Sequence, residues 1–247
     1  MRSIAIGCGS AWFNDRLEPA LALADSGLVD YLSFDCLAER TLALAQMRRL
    51  ENPAAGQDVR LAQIARRFAP FLKRGKRIVG NFGAANPRAG VRDLIDALRK
   101  ADYTGCRVGA IVGDDVLAQV LAENVELPEL GCRVADIKDK VVSAHAYIGA
   151  DSVVELLQRD ASFILGGRLA DPSLFVGPIC HELGWALDEW DRVATATVVG
   201  HLLECGTYST GGNFADPPYR IVPALHDLAL QSQDARSTVD EFDEFDL

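Results

Sequence analysis

No stretch of this chain approaches the roughly 20 consecutive apolar residues of a membrane span. Met1-Arg2-Ser3-Ile4-Ala5-Ile6-Gly7 leads straight into an apolar strand, without the layout of a signal peptide. A cytoplasmic protein with no membrane partner is therefore expected. Cys-x-x-Cys pairs are also missing. The six cysteines (8, 36, 106, 132, 180 and 205) stand singly in apolar or loop contexts, which predicts reduced thiols rather than a disulfide framework. No basic, aromatic-interleaved stripe is available to neutralise phosphates, so nucleic acid is not an expected partner. The cluster Arg66, Arg67, Lys73, Arg74, Lys76 and Arg77 alternates with Phe68, Phe71 and Leu72 and reads as a solvated helix face. No fixed-period repeat, low-complexity block or Pro/Ser linker divides residues 1–222.

What is present is an ordinary globular composition. The 247 residues are 49% hydrophobic, enough for a substantial core. Half of the net charge of −10 comes from residues 231–247, where Asp234, Asp240, Glu241, Asp243, Glu244 and Asp246 face Arg236 alone. We divide the chain into an α/β domain over 1–222 and an acidic C-terminal tail over 223–247. Like charges and few apolar side chains predict a tail that orders only by placing Phe242, Phe245 and Leu247 on another subunit, hence an oligomer.

Short continuous apolar runs mark about six strands, at Ser3–Gly7, Asp30–Phe34, Arg77–Phe82, Cys106–Val112, Val141–Ala146 and Ser162–Leu165, separated by amphipathic helices. That alternation predicts an α/β fold with a mostly parallel sheet covered by helices on both faces, Rossmann-like in type. The unusual residues fall just after the strands, where such sheets bind ligands, and this points to one cleft lined by the loops at 7–10, 83–88, 167–173 and 207–213. Gly7, Gly9 and Ser10 suit a tight turn or the binding of a phosphate or carboxylate, though the third glycine of a dinucleotide fingerprint is lacking. Asp35 is either a ribose ligand or a helix N-cap. Asn81, Gly83 and Asn86 follow the third strand, with Pro87 starting a helix and both asparagines placed to donate to a carbonyl. Asp114 either caps the next helix with Asp115 or does acid–base work. His145 reads as a core-edge histidine, with a base as the alternative. Arg168, beside flexible Gly166 and Gly167, is placed to grip a carboxylate or phosphate in bidentate fashion, or else to pair with Asp171.

The densest chemistry lies in Gly200-His201-Leu202-Leu203-Glu204-Cys205-Gly206 and the loop that follows, Thr207-Tyr208-Ser209-Thr210-Gly211-Gly212-Asn213. His201, Glu204 and Cys205 share one face of a predicted helix that Gly206 ends. The loop beyond offers backbone N–H groups. Packing of His201 and Cys205 in the interior is the alternative. No second cluster of His or Cys exists to complete a metal shell, so no metal is expected.

Taken together, Ile6-Gly7-Cys8-Gly9-Ser10-Ala11, Phe34-Asp35-Cys36-Leu37-Ala38-Glu39, Asn81-Phe82-Gly83-Ala84-Ala85-Asn86-Pro87, Gly113-Asp114-Asp115, Gly167-Arg168-Leu169-Ala170-Asp171-Pro172-Ser173, the 200–206 segment and Gly211-Gly212-Asn213-Phe214-Ala215-Asp216 resemble the acyclic terpene utilisation proteins of the AtuA type over residues 3–222. The resemblance implies bacterial catabolism of branched acids such as those from citronellol and geraniol, handled as coenzyme A thioesters. Members of that family extend further, with another glycine-rich motif, and carry asparagine where His145 stands. A hetero-oligomer with a separate C-terminal-half subunit, or a short paralogue that binds without turnover, is the corresponding expectation.

The function read from these motifs is a hydratase or lyase acting on a branched acyl thioester or small hydroxy acid. His201 or Glu204 serves as base or acid, with Cys205 and Asp114 as further catalytic candidates. The amides of Thr210, Gly211 and Gly212 are oxyanion donors, and Arg168 anchors a substrate carboxylate. Gly9, Ser10, Asn81, Gly83, Asn86 and Asp171 complete the substrate-binding set. Coenzyme A enters as part of the substrate, and no resident cofactor is assigned. A regulatory subunit and a nicotinamide-dependent oxidoreductase are the alternatives.

Overall fold

A computed structural model describes residues 3–206 and Ser209. Residues 3–206 form one compact unit. In chain order it comprises β1 (Ile6–Ser10), α1 (Glu18–Ser26), β2 (Tyr31–Phe34), α2 (Glu39–Glu51), α3 (Leu61–Lys73), β3 (Arg77–Gly80), α4 (Pro87–Lys100), β4 (Val108–Ile111), α5 (Leu117–Glu123), β5 (Glu126–Leu127), β6 (Cys132–Arg133), α6 (Val134–Ile137), α7 (Asp151–Gln158), β7 (Phe163–Gly166), α8 (Ser173–Leu183) and α9 (Trp190–Glu204). The main sheet has five strands in the order β1-β2-β3-β7-β4, all parallel, and β5 and β6 form a separate antiparallel pair. The fold is α/β, as the alternation of elements predicts.

Topology explains how the helices divide. The chain steps from β1 through β2 and β3 in one direction, passes over one position to β4, then returns to β7. Right-handed crossovers put the connections of the two directions on opposite faces. Accordingly α1, α3 and α4 cover one face, around Phe34, Phe68, Phe82 and Phe163. Helices α7, α8 and α9 cover the other, around Ile164, Phe175 and Val176. In α3, Leu61, Ile64, Ala65, Phe68, Phe71 and Leu72 make the buried stripe, which leaves Arg66 exposed. The expected helix face is present there, although Lys76 and Arg77 belong to the approach to β3 and to β3 itself.

Two strand expectations are corrected. Val141–Ala146 is not a strand of the sheet. It closes onto the loop after β4, with the Ala146 amide on the Asp114 carbonyl (2.7 Å), the Val116 amide on the Ala144 carbonyl (2.9 Å), and an isolated bridge between Asp115 and His145. Its apolar run covers a loop rather than extending the sheet, so five strands replace about six. The first strand runs to Ser10 rather than ending at Gly7, so Gly7 and Gly9 lie within β1. A Cβ on Gly9 would fall 2.5 Å from the Phe34 ring, so this glycine makes room for a core aromatic. With α1 starting only at Glu18, no glycine turn feeds a helix N-terminus here, and the phosphate-binding reading of that loop loses its geometry.

No helix among the described residues is long and apolar enough to cross a membrane.

Candidate functional site

Because β3 sends its chain to one face and β7 to the other, the carboxyl ends of these neighbours mark a topological switch point, the usual ligand crevice of an open parallel sheet. Here the crevice is closed by backbone. The Gly83 amide donates to the Gly166 carbonyl at 2.8 Å, and a Cβ on Gly83 would lie 2.6 Å from that oxygen. The open space is displaced toward the ends of β1 and β2. A cleft of 180 Å³ is lined there by Ala11, Trp12, Phe13, Asp35, Leu37, Ala38, Glu39, Thr41, Arg168, Asp171 and Glu204.

Two buried carboxyl groups dominate its floor. Asp35 follows β2 and Glu204 ends α9; they lie 169 positions apart in the chain, are 7% and 8% exposed, and are close enough that the Glu204 carboxyl raises the pKa of Asp35. Asn81 orients the pair: its Nδ2 donates to Asp35 Oδ1 at 2.5 Å while its Oδ1 accepts the Cys36 amide at 2.6 Å. Asp35 Oδ1 also accepts the Leu37 amide at 3.3 Å. Burial pushes the Asp35 carboxyl from 3.8 up to about 7, with the Asn81 hydrogen bond opposing and the Glu204 carboxyl adding to the rise. Asp35 is not the helix N-cap, since α2 is preceded by Ala38. A ribose would have to displace the contacts the aspartate already makes.

Arg168 reaches the cleft from the β7 loop, 3% exposed. Its Nη1 donates to the Leu37 carbonyl and lies 3.2 Å from Asp171 Oδ1. Nη2 donates to the Tyr147 hydroxyl at 2.7 Å and to Glu39 at 3.3 Å, and the guanidinium stacks 4.1 Å from the Tyr147 ring centroid. Both Nη groups thus have protein acceptors, so bidentate capture of a substrate carboxylate would require an exchange of partners. The pairing with Asp171 is the arrangement observed. Burial raises the Asp171 pKa, the Asp35 charge adds to it and Arg168 opposes it.

The Arg168 loop is braced from behind. Asp114, 3% exposed, accepts the Arg168 amide at 2.9 Å and pairs with His145 Nδ1 at 3.0 Å. It neither caps α5 nor lines the cleft. Asp115 holds the first turn of α5 through the Leu117 amide at 3.3 Å. Burial works against ionisation of Asp114, but His145 and the Arg168 amide together hold its pKa below the ordinary value.

The remaining candidates separate clearly. On α9, Glu204 lines the cleft, while His201 is exposed and is not among the described lining residues. Cys205 sits half-buried at the helix end, its Sγ 3.5 Å from Glu204 Oε2, where the negative end of the helix dipole disfavours a thiolate. Ser10 donates its hydroxyl to the Trp12 carbonyl at 2.6 Å, and Gly9 and Gly83 serve close packing. Asn86 is fully engaged in structure: Oδ1 caps α4 through the Ala89 amide (3.2 Å) and Nδ2 donates to the carbonyls of Pro53 and Ala55. Asn86→Ala is accordingly expected to cost about 1–2 kcal/mol in a denaturant titration and to leave ligand affinity unchanged. A loss of affinity at unaltered stability would return this asparagine to the binding set. Thr210, Gly211 and Gly212 lie outside the described residues. Among the described residues no group of three or more His, Cys, Asp or Glu could hold a metal ion.

Sequence reasoning did not single out the pairing of Asp35 with Glu204. The available signal was an acid directly after a buried strand and another at a helix end, but nothing in the chain joins the two.

No curated protein and no solved structure matches this chain. Against family models, residues 4–234 match the acyclic terpene utilisation family protein AtuA. With a family-model match over most of its length, the chain belongs to the AtuA family of acyclic terpene utilisation proteins.

Proposed function

We propose that the cleft performs proton transfer of the hydratase or lyase type on a branched acyl thioester. Membership of the family gives the chain a role in acyclic terpene utilisation; the reaction is our reading. The observation that carries it is the pair of buried carboxyl groups, Asp35 and Glu204, lining one open cleft, with Glu204 raising the pKa of Asp35. On this reading the two groups hold one proton between them, Asp35 acting as the acid and Glu204 as the base. In hydration of an enoyl thioester, the carboxylate takes a proton from the water that adds to the β-carbon, and the carboxylic acid delivers its proton to the α-carbon. The pair ends with its proton on the other partner, and the reverse sequence eliminates water.

Surrounding charge favours a neutral reacting head over a free acid. Glu39, Asp171, Asp35 and Glu204 line the cleft, with Arg168 the one cation among the described lining residues, so a further carboxylate would enter against repulsion. The test is Glu204→Gln assayed with a branched enoyl thioester and its hydroxy product. Turnover is expected to fall by ~10²–10⁴-fold with KM little changed. Wild-type turnover in that variant rules out this assignment.

A further inference from the structure

The cleft is too small for the ligand class just proposed. Pockets that enclose a whole small-molecule ligand usually measure about 300–1,000 Å³, whereas this one has 180 Å³. A reacting head fits, so a carbon chain attached to that head must leave along the rim. One side of the rim is aromatic: Trp12 and Phe13 both line the cleft, and Trp12 is 55% exposed.

This exposure is built into the loop. The Ser10 hydroxyl donates to the Trp12 carbonyl at 2.6 Å, and the Asp15 amide donates to the same oxygen at 3.2 Å. The Ala11 amide donates to Asp15 Oδ2 at 2.8 Å, and Arg60 Nη1 holds the Asp15 carbonyl at 3.0 Å. Main chain fixed on both sides of Trp12 carries a large apolar ring outward beside a polar floor. Tryptophan is highly buried on average, and burying one removes a large apolar surface from water.

We infer that Trp12 and Phe13 form a lip that takes the hydrocarbon chain of the ligand while its polar head lies between Asp35, Glu204 and Arg168. The lip is a specificity element, reading chain length and branching without taking part in proton transfer. It rests on the proposed reading only in the placement of the head.

Binding of butanoyl, hexanoyl, octanoyl and decanoyl thioesters of N-acetylcysteamine tests the lip independently of turnover. A fully buried methylene is worth about fourfold in affinity, so a chain half-buried on an open rim should gain about twofold per methylene. Trp12→Ala should flatten that series toward a ratio of one, and Trp12→Phe should restore most of it. In a Trp185→Phe/Trp190→Phe background, Trp12 is the sole tryptophan and its emission should shift to the blue with octanoyl but not butanoyl thioester. A series that stays steep in Trp12→Ala, no binding of any member, or a blue shift that depends on protein concentration without ligand overturns the inference, the last by assigning the cover to a second copy. Glu204→Gln leaves the series steep if the lip stands, whether or not the acid–base reading survives.

Discussion

Asp35→Asn is expected to reduce turnover of an enoyl thioester by ~10²–10⁴-fold and, at the same time, to make the protein more stable at neutral and alkaline pH. Both effects come from one proton. Burial and the neighbouring Glu204 carboxyl raise the folded-state pKa of Asp35 from 3.8 to about 7. The folded protein therefore holds a proton that the unfolded chain releases above about pH 4. This contribution is complete below the unfolded pKa, declines as pH rises, and is gone once the folded carboxyl ionises near 7.

Asparagine carries no charge at any pH. Its amide nitrogen can face Glu204 without a charge, and its carbonyl can still accept from Asn81. The difference in Tm between variant and wild type should be small near pH 4, grow toward neutrality and level off above about pH 7. Each kcal/mol that the buried charge costs appears as roughly 2–4 °C. Thermal melts across that range, beside an activity assay, decide the matter. A Tm difference independent of pH would mean that Asp35 titrates normally, and the shared-proton mechanism would fall with it.

Gly167→Ala should be among the most damaging single changes in the described domain. A Cβ at this position would lie 2.3 Å from Asp114 Oδ2, the oxygen that accepts both the Arg168 amide and His145 Nδ1. To admit a methyl group the carboxylate must move off both partners while it remains buried. Breaking a buried charge away from its partners costs about 3–5 kcal/mol. Ligand binding should weaken too, because the same loop presents Arg168 and Asp171.

Gly90→Ala provides the internal control. Gly90 lies inside α4, where a Cβ would meet Leu165, Gln57 and Leu61 at no less than 3.4 Å, an ordinary contact. That change should stabilise by roughly 0.5–1 kcal/mol through helix propensity. Denaturant titration of the two variants side by side distinguishes a steric requirement from a general intolerance of alanine. A loss below about 1 kcal/mol for Gly167→Ala would show that Asp114 can relocate without penalty.

Local pattern was enough for much of the fold. Apolar runs at 30–34, 77–82 and 162–165 were readable as strands because these central strands are buried on both faces of a parallel sheet, and burial of that kind is written into consecutive residues; the edge strand at 106–112, exposed at Ala110, was readable from its apolar run alone. Helix α9 was readable from its unbroken run up to Gly206, and α4 from Asn86-Pro87, where a capping side chain and a fixed φ act over one turn. The position of functional loops after strands followed from the same alternation.

Pairing across the chain was not readable. Val141–Ala146 has the composition of a strand, yet its hydrogen bonds go to Asp114 and Val116, a choice set by what lies beside it in space. Gly7 and Gly9 resemble a binding turn, but Gly9 is small because Phe34 packs against it. Of the expected helical trio, His201 and Glu204 lie on α9 and Cys205 caps its end, as local pattern could tell, while only the fold decided that Glu204 lines the cleft beside Asp35. Arg168 was correctly placed at a strand end, while its partners are Leu37 and Glu39 after β2, Tyr147 before α7 and, as an ion pair, Asp171 of its own loop. Sequence by itself determined the elements and their amphipathic faces, because those depend on neighbours within a few residues. Which acids come together, and which side chain faces the cleft, depends on contacts between distant segments and was decided only when the sheet assembled.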